Sequence, residues 1–190
     1  MADVELSTLL PHIIPYVPGC PENFIKQKLY EMARLFCKET NIFLDTLDDI
    51  ATVADQASYT LERTWDTDIE RVTEVLREDT IVQESQYTVS PGGVITFDPA
   101  PTIADDVLSI TVVLRPRLAM SLYPERMVNR WSSAFVAGTL YTLLNMKRQW
   151  RDEVNSRLNF QLFEQEIVTA RSEFVVERRS QNILVEIPLI

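Results

Sequence analysis

The chain has 190 residues, 46% of them hydrophobic, and a formal net charge of −10. That length fits one domain, or one domain with a large insertion, and the apolar content suffices for a core. The acidic balance argues against broad binding to nucleic acid or anionic membrane, both of which need basic surface. No apolar run approaches the roughly 18–20 residues of a membrane span; the richest, 134–144, is too short.

Ala2-Asp3-Val4-Glu5 is acidic where a secretory leader would be basic. Reduced thiols at Cys20 and Cys37, and folding in a cytoplasm, are therefore expected. Residues 7–17 hold a short apolar element of one or two helical turns, broken by Pro11 and Pro15. Pro18-Gly19 punctuates the chain, and Pro21 suits the first turn of a helix. Ile25, Leu29, Met32 and Phe36 then recur at helical spacing, which predicts an amphipathic helix over 21–40.

Near Asp48 the period changes to two. Residues 49–54 and 58–62 read as short strands around a turn at Asp55-Gln56. Ile69, Val72 and Val75 fit a short helix or a bulged strand over 68–77, with strand preferred. Residues 87–89 and 94–97 flank Ser90-Pro91-Gly92-Gly93, a hairpin signal. Pro99-Ala100-Pro101 is a turn, and Leu108, Ile110, Val112 and Leu114 alternate along the longest predicted strand.

After Pro116 the helical period returns. Residues 125–146 read as one long helix carrying Met127, Trp131, Ala134, Phe135, Gly138 and Tyr141, apolar around most of its circumference and hence buried. A helical Gly138 points to close approach by a neighbour, since it otherwise costs about 1 kcal/mol. Asp152 is placed to cap a further helix to about residue 178, with Phe160, Phe163, Ile167, Ala170 and Phe174 as its stripe. The predicted fold is α+β. A helical bundle (1–47 and 117–179, three long helices plus a short N-terminal one) carries an inserted antiparallel β domain (48–116) and an extended C-terminal arm (180–190). Ile25, Leu29, Met32, Phe36, Trp131, Phe135, Phe163 and Ile167 form the expected bundle core. The apolar, β-branched arm (Ile183, Leu184, Val185, Ile187 and Leu189) reads either as an edge strand on its own subunit or as a segment that adds to a partner. Pro188 limits its length as a strand.

Carboxylates crowd residues 45–79, and arginines are frequent from Arg115 onward: Arg115, Arg117, Arg126, Arg130, Arg148, Arg151, Arg157, Arg171, Arg178 and Arg179. Two readings stand: opposed surfaces that meet between neighbours in an oligomer, or solvated faces.

Signals for catalysis are weak. The single histidine, His12, lies in an apolar setting that favours a packed role over a general base. Cys37, beside the Phe36 stripe, reads as a small buried hydrophobe. Cys20 and Cys37 lack CxxC spacing, and one histidine cannot complete an ordinary zinc site. Asp45, Asp48 and Asp49 could bind a metal, but they match no EF-hand and suit an Asp-rich turn. Four glycines leave no phosphate cradle, and Trp65, Trp131 and Trp150 are too scattered for a stacking platform. No cofactor is expected.

Pro18-Gly19-Cys20-Pro21 followed by Ala33-Arg34-Leu35-Phe36-Cys37-Lys38-Glu39-Thr40 resembles the opening helix of the tailed-bacteriophage head-to-tail connector, or adaptor, family. Asp55-Gln56-Ala57-Ser58-Tyr59-Thr60-Leu61 is similar to the family's next turn and strand. Phe97-Asp98-Pro99-Ala100-Pro101 and Val112-Val113-Leu114-Arg115-Pro116 resemble later steps. Ala137-Gly138, Leu140-Tyr141-Thr142-Leu143-Leu144 and Trp150 resemble its central helix. The chain departs from the pattern at Thr139, where alanine is usual. It departs again at Met146-Lys147-Arg148-Gln149, where a proline-bearing loop is usual, so the turn of that helix pair is in question.

The resemblance implies a structural virion protein, not an enzyme. It implies a self-assembled ring, typically of twelve copies, at the virion neck beneath the portal, assembled in the host cytoplasm. Such a ring joins the portal protein to tail or nozzle proteins and gives double-stranded DNA a channel without specific binding. The arm would dock into the portal, and no membrane is involved. Two alternatives remain: a tail-completion or stopper protein of the neck, and, more remotely, a small metal-dependent enzyme using Asp45, Asp48 and Asp49.

Overall fold

A computed structural model describes residues 3–63, 66–118 and 120–183, the stretch 176–183 by its backbone alone. The fold is mixed α+β, with helices and antiparallel sheets. The chain divides into two compact units, Met1–Ile42 with Leu118–Ile190, and Phe43–Arg117.

The first unit opens with strand β1 (Asp3–Glu5) and 3-10 turns over Leu6–His12 and Ile14–Tyr16. Helix α1 (Glu22–Thr40) follows. Pro21 is its N-cap, in extended conformation, rather than part of the first turn. The correction is of one position: a proline there removes no helical hydrogen bond and still presets the entry angle. Asn41, at φ 56°, ends the helix in the left-handed region, where asparagine is among the best tolerated residues. Gly19 has φ 79°, and an added Cβ would fall 2.4 Å from the Gln149 amide nitrogen. The Gln149 side chain is exposed and can move aside, so the turn before α1 needs glycine on conformational grounds.

The second unit begins with β2 (Leu44–Thr46), β3 (Ile50–Ala51) and β4 (Ser58–Thr60), then β5 (Thr67–Arg77) and β6 (Thr80–Ile81). The hairpin strands β7 (Tyr87–Val89) and β8 (Val94–Phe97) precede β9 (Val107–Pro116). One sheet runs β2-β9-β5-β6 with β3 also on β9; the other runs β4-β8-β7; every pairing is antiparallel. The unit starts at Phe43, before the expected residue 48, because β2 pairs with β9 and belongs to its sheet.

The spacing of three in β5 has a physical account. Its register on β9 slips between Ile69 and Arg71 and again between Val72 and Glu74. Each slip absorbs one extra residue, so Ile69, Val72 and Val75 oppose Leu114, Val112 and Ile110 in turn. Tyr59 and Tyr87 flank Phe97 in the smaller sheet, with ring centroids 5.9 and 6.2 Å away. Buried Thr52 donates to the Ile103 carbonyl and accepts from the Asp106 amide, tying down the loop before β9.

The chain re-enters the first unit through β10 (Leu122–Pro124), which pairs with β1. Helices α2 (Glu125–Leu144) and α3 (Glu153–Ile183) complete it. Trp131 interrupts α2 with φ −116° and ψ 17°, where the apolar pattern alone predicts one uninterrupted helix. Asp152 accepts from the amides of Val154 and Asn155, the capping geometry that starts α3. These backbone donors favour its charged form and hold its pKa below the ordinary value. Helix α3 continues past residue 178 to Ile183, so 180–183 are helical where an extended arm is expected. The run Glu173–Ile183 contains neither glycine nor proline to stop a helix. Among the described residues no helix is long and apolar enough to cross a membrane.

The three α-helices contact one another pairwise, and α2 takes part in the closest approach. A Cβ at Gly138 would lie 2.9 Å from the Met32 methyl of α1 and 2.9 Å from the Phe163 ring of α3. Met32 can swing aside, but Phe163 is buried and ring-packed. Gly138→Ala gains about 1 kcal/mol of helix propensity against about 1–3 kcal/mol of overpacking. The expected result is a net loss of about 1 kcal/mol, read as a melting temperature lower by about 2–4 °C.

Candidate functional site

The helices meet at an aromatic junction centred on Phe36. Helical spacing puts Ile25, Leu29, Met32 and Phe36 on one face of α1, and all four are buried. The Phe36 ring lies 5.3 Å from Trp131, 5.6 Å from Phe135 in an edge-to-face contact, and 6.1 Å from Phe163. Such pairs add about 0.5–1.5 kcal/mol each beyond burial. Trp131, Phe135, Phe163 and Ile167 are buried as well. The Arg130 guanidinium stacks 4.5 Å over the Trp131 ring.

The rim of this junction is polar. Arg130 on α2 pairs with Glu173 on α3, and Ser133 donates to Glu166 at 2.6 Å. Arg171 on α3 donates to the Glu39 carboxylate and carbonyl on α1, both at 2.7 Å. In the β unit, Arg115 pairs with Glu70 at 3.0 Å, Arg117 with Asp68 at 2.9 Å, and Arg77 with Asp106 at 2.7 Å. Opposite charges thus meet within each unit of one chain.

Cys37 is fully buried, and desolvation pushes its thiol far above the ordinary range. Tyr123 is buried with its hydroxyl unpartnered among the described residues; desolvation first, then the nearby Cys37, raises its pKa. His12 is exposed at the end of its 3-10 turn, contrary to the packed position expected of it. That turn buries Leu6, Leu9 and Leu10, which leaves His12 on the solvent side. Cys20 and Cys37 are both free thiols. Asp45 lies half-buried in β2 opposite Val112, while Asp48 and Asp49 are exposed. Among the described residues no group of three His, Cys, Asp or Glu side chains is arranged to share a metal ion.

Of the expected arm, Ile183 is the last residue of α3; Leu184, Val185, Ile187 and Leu189 lie outside the described residues. Comparison with protein-family models and with curated proteins finds no match.

Sequence reasoning missed the β1–β10 pair, because three-residue strands are too short to show a period, and with it the buried Tyr123. Tyr123→Phe deletes an unpaired buried hydroxyl and should hold or raise stability by up to about 1 kcal/mol, measured by denaturant unfolding. For Asp45, burial first, then repulsion from Asp48, raises the pKa above the ordinary aspartate value. The folded state therefore binds this proton more tightly than the unfolded chain, and stability falls as pH rises through that interval. Asp45→Asn should raise the melting temperature at about pH 7 and flatten its decline as pH rises above the ordinary aspartate value of about 3.9.

Proposed function

We propose that this chain is a structural subunit of a tailed-bacteriophage neck, the head-to-tail adaptor that forms a ring beneath the portal, joins it to the tail and leaves a channel for the genome. The observation that carries this reading is the layout. Both ends of the chain build one helical unit around the Phe36 junction, and a β unit is inserted between α1 and β10. That is the order of parts the family resemblance implies. In this reading the helical unit is a three-helix bundle with a short N-terminal element, and it builds the ring.

Two further observations support a building block over an enzyme. The junction is filled by packing, and the Cys37 thiol and the Tyr123 phenol are buried and pushed away from ionisation. Several arginines are already neutralised within the chain, so duplex DNA would find few cationic contacts in a passage lined by this protein.

The anchor to the portal is assigned to the apolar residues that follow α3: Leu184, Val185, Ile187 and Leu189. Main-chain pairing with an exposed strand edge would seat them. Deleting residues 184–190 leaves α3 intact to Ile183. The truncated protein should keep its melting temperature and lose co-sedimentation with purified portal rings. Undiminished portal binding by the truncated protein removes the arm from the mechanism. A full-length chain that binds purified tails but not portals would instead be a tail-completion or stopper protein.

A further inference from the structure

We propose that the loop between α2 and α3 binds the phosphate backbone of duplex nucleic acid. Residues 145–160 carry four cations, Lys147, Arg148, Arg151 and Arg157, against two carboxylates, in a chain of net charge −10. Both carboxylates are already engaged. Asp152 accepts from the amides of Val154 and Asn155 and from the Asn155 side chain, and Glu153 pairs with Arg151. Lys147 and Arg148 are exposed, and neither has an acidic partner among the described residues.

Cations often gather at a helix C-terminus because they offset its free carbonyls. At the end of α2 that role is filled by other groups. The Tyr141 carbonyl accepts from the Asn145 amide and the Ser156 hydroxyl. The Leu143 carbonyl accepts from the Met146 amide and the Trp150 indole, and the Leu144 carbonyl from the Asp152 amide. Lys147 and Arg148 are therefore not needed to cap α2. The same bonds fix the loop. The Arg148 amide donates to the Met146 carbonyl at 2.8 Å, and the Arg151 amide to the Arg148 carbonyl at 3.0 Å. The loop backbone is thus set before any ligand arrives, which lowers the cost of binding.

Shape and chemistry select the ligand. Lys147, Arg148, Gln149, Trp150 and Arg151 line an open groove of about 620 Å³. A small molecule is held by a pocket that surrounds it, whereas an open groove suits a long convex surface. Peptide recognition draws on a free strand edge or an apolar groove. The loop contains no strand, and its one ring, Trp150, is half-buried with its N–H committed to α2. Phosphates need only fixed donors and cations within reach. Lys147 and Arg148 supply two such contacts, and Arg151, shared with Glu153, supplies a third. The inference deepens the adaptor reading by naming residues that touch the passing duplex, and it rests on that reading only for the presence of the duplex.

The test is a fluorescence-anisotropy titration of a labelled duplex of about 20 base pairs with the full-length protein, from about 20 mM to about 200 mM salt. Two or three phosphate contacts give log K against log salt a slope of about −2 to −3. K147E/R148E should weaken binding by more than about tenfold at low salt and flatten the slope by about 2. Its melting temperature should not change, because both side chains are exposed. K38E/R126E makes the same change in net charge at exposed sites, Arg126 being about 30 Å along α2 from the loop, and should bind like the wild type. Unlabelled duplex should displace the probe more effectively than poly-glutamate of equal charge. No binding at about 20 mM salt, an undiminished slope in K147E/R148E, or an equal loss in K38E/R126E overturns the assignment. Equal displacement by poly-glutamate also overturns it and makes the loop a site for an acidic protein segment. Portal binding by the wild type is measured separately, and its loss counts against the adaptor reading alone.

Discussion

The absence of a side chain at Gly138 is the constraint on which the helical unit depends. It lets α1 and α3 reach the same stretch of α2, so that Met32 and Phe163 fill the space a Cβ would occupy. Phe36 can then touch residues of both other helices at once. A helical glycine costs about 1 kcal/mol in isolation, and the three ring contacts made possible here offset that. The first unit is assembled from two separated stretches of chain, so the junction also joins segments that sequence distance holds apart. Bringing them together costs loop-closure entropy, but that cost grows only slowly with the length of the insertion.

Electrostatics in this protein serve placement more than reactivity. The rim pairs Arg130–Glu173 and Arg171–Glu39 bridge α3 to α2 and α1. Exposed pairs of this kind contribute about 0–1 kcal/mol apiece, so their role is to fix which way α3 turns. Where polar groups are buried without partners, as at Tyr123 Oη and Asp45 Oδ2, the fold carries a cost that packing elsewhere offsets.

Long periodic elements were legible in the sequence, and short ones were not. The α1 stripe and the β9 alternation extend over enough residues for the period to declare itself. Gly138 was legible because glycine inside an apolar helix needs a reason, and close packing supplies one. The break at Trp131 was not, since φ and ψ at one residue leave the apolar pattern unchanged. Arg115 and Arg117 illustrate a different gap. Composition shows arginines in one half and carboxylates in the other, but only register on β5 brings them beside Asp68 and Glu70. The outer stripe of α3 was overlooked for a third reason. Attention to the strong aromatic repeat at Phe160, Phe163, Ile167 and Phe174 hides a weaker repeat of valine, leucine and glutamine on the other side of the same helix.

Those two repeats have different periods of use. The inner one packs α3 within its own subunit, and its aromatic side chains make a contact strong enough to persist in an isolated chain. The outer one mixes apolar residues with Gln161, Gln165 and Ser172, all of which water solvates well. A purely apolar seam would make the free protein sticky toward any hydrophobic surface. Polar residues on that face keep it solvated, because each would need a hydrogen-bond partner if it were covered. A helix with one aromatic side and one mixed side can therefore pack on its neighbours along the first and stay solvated along the second.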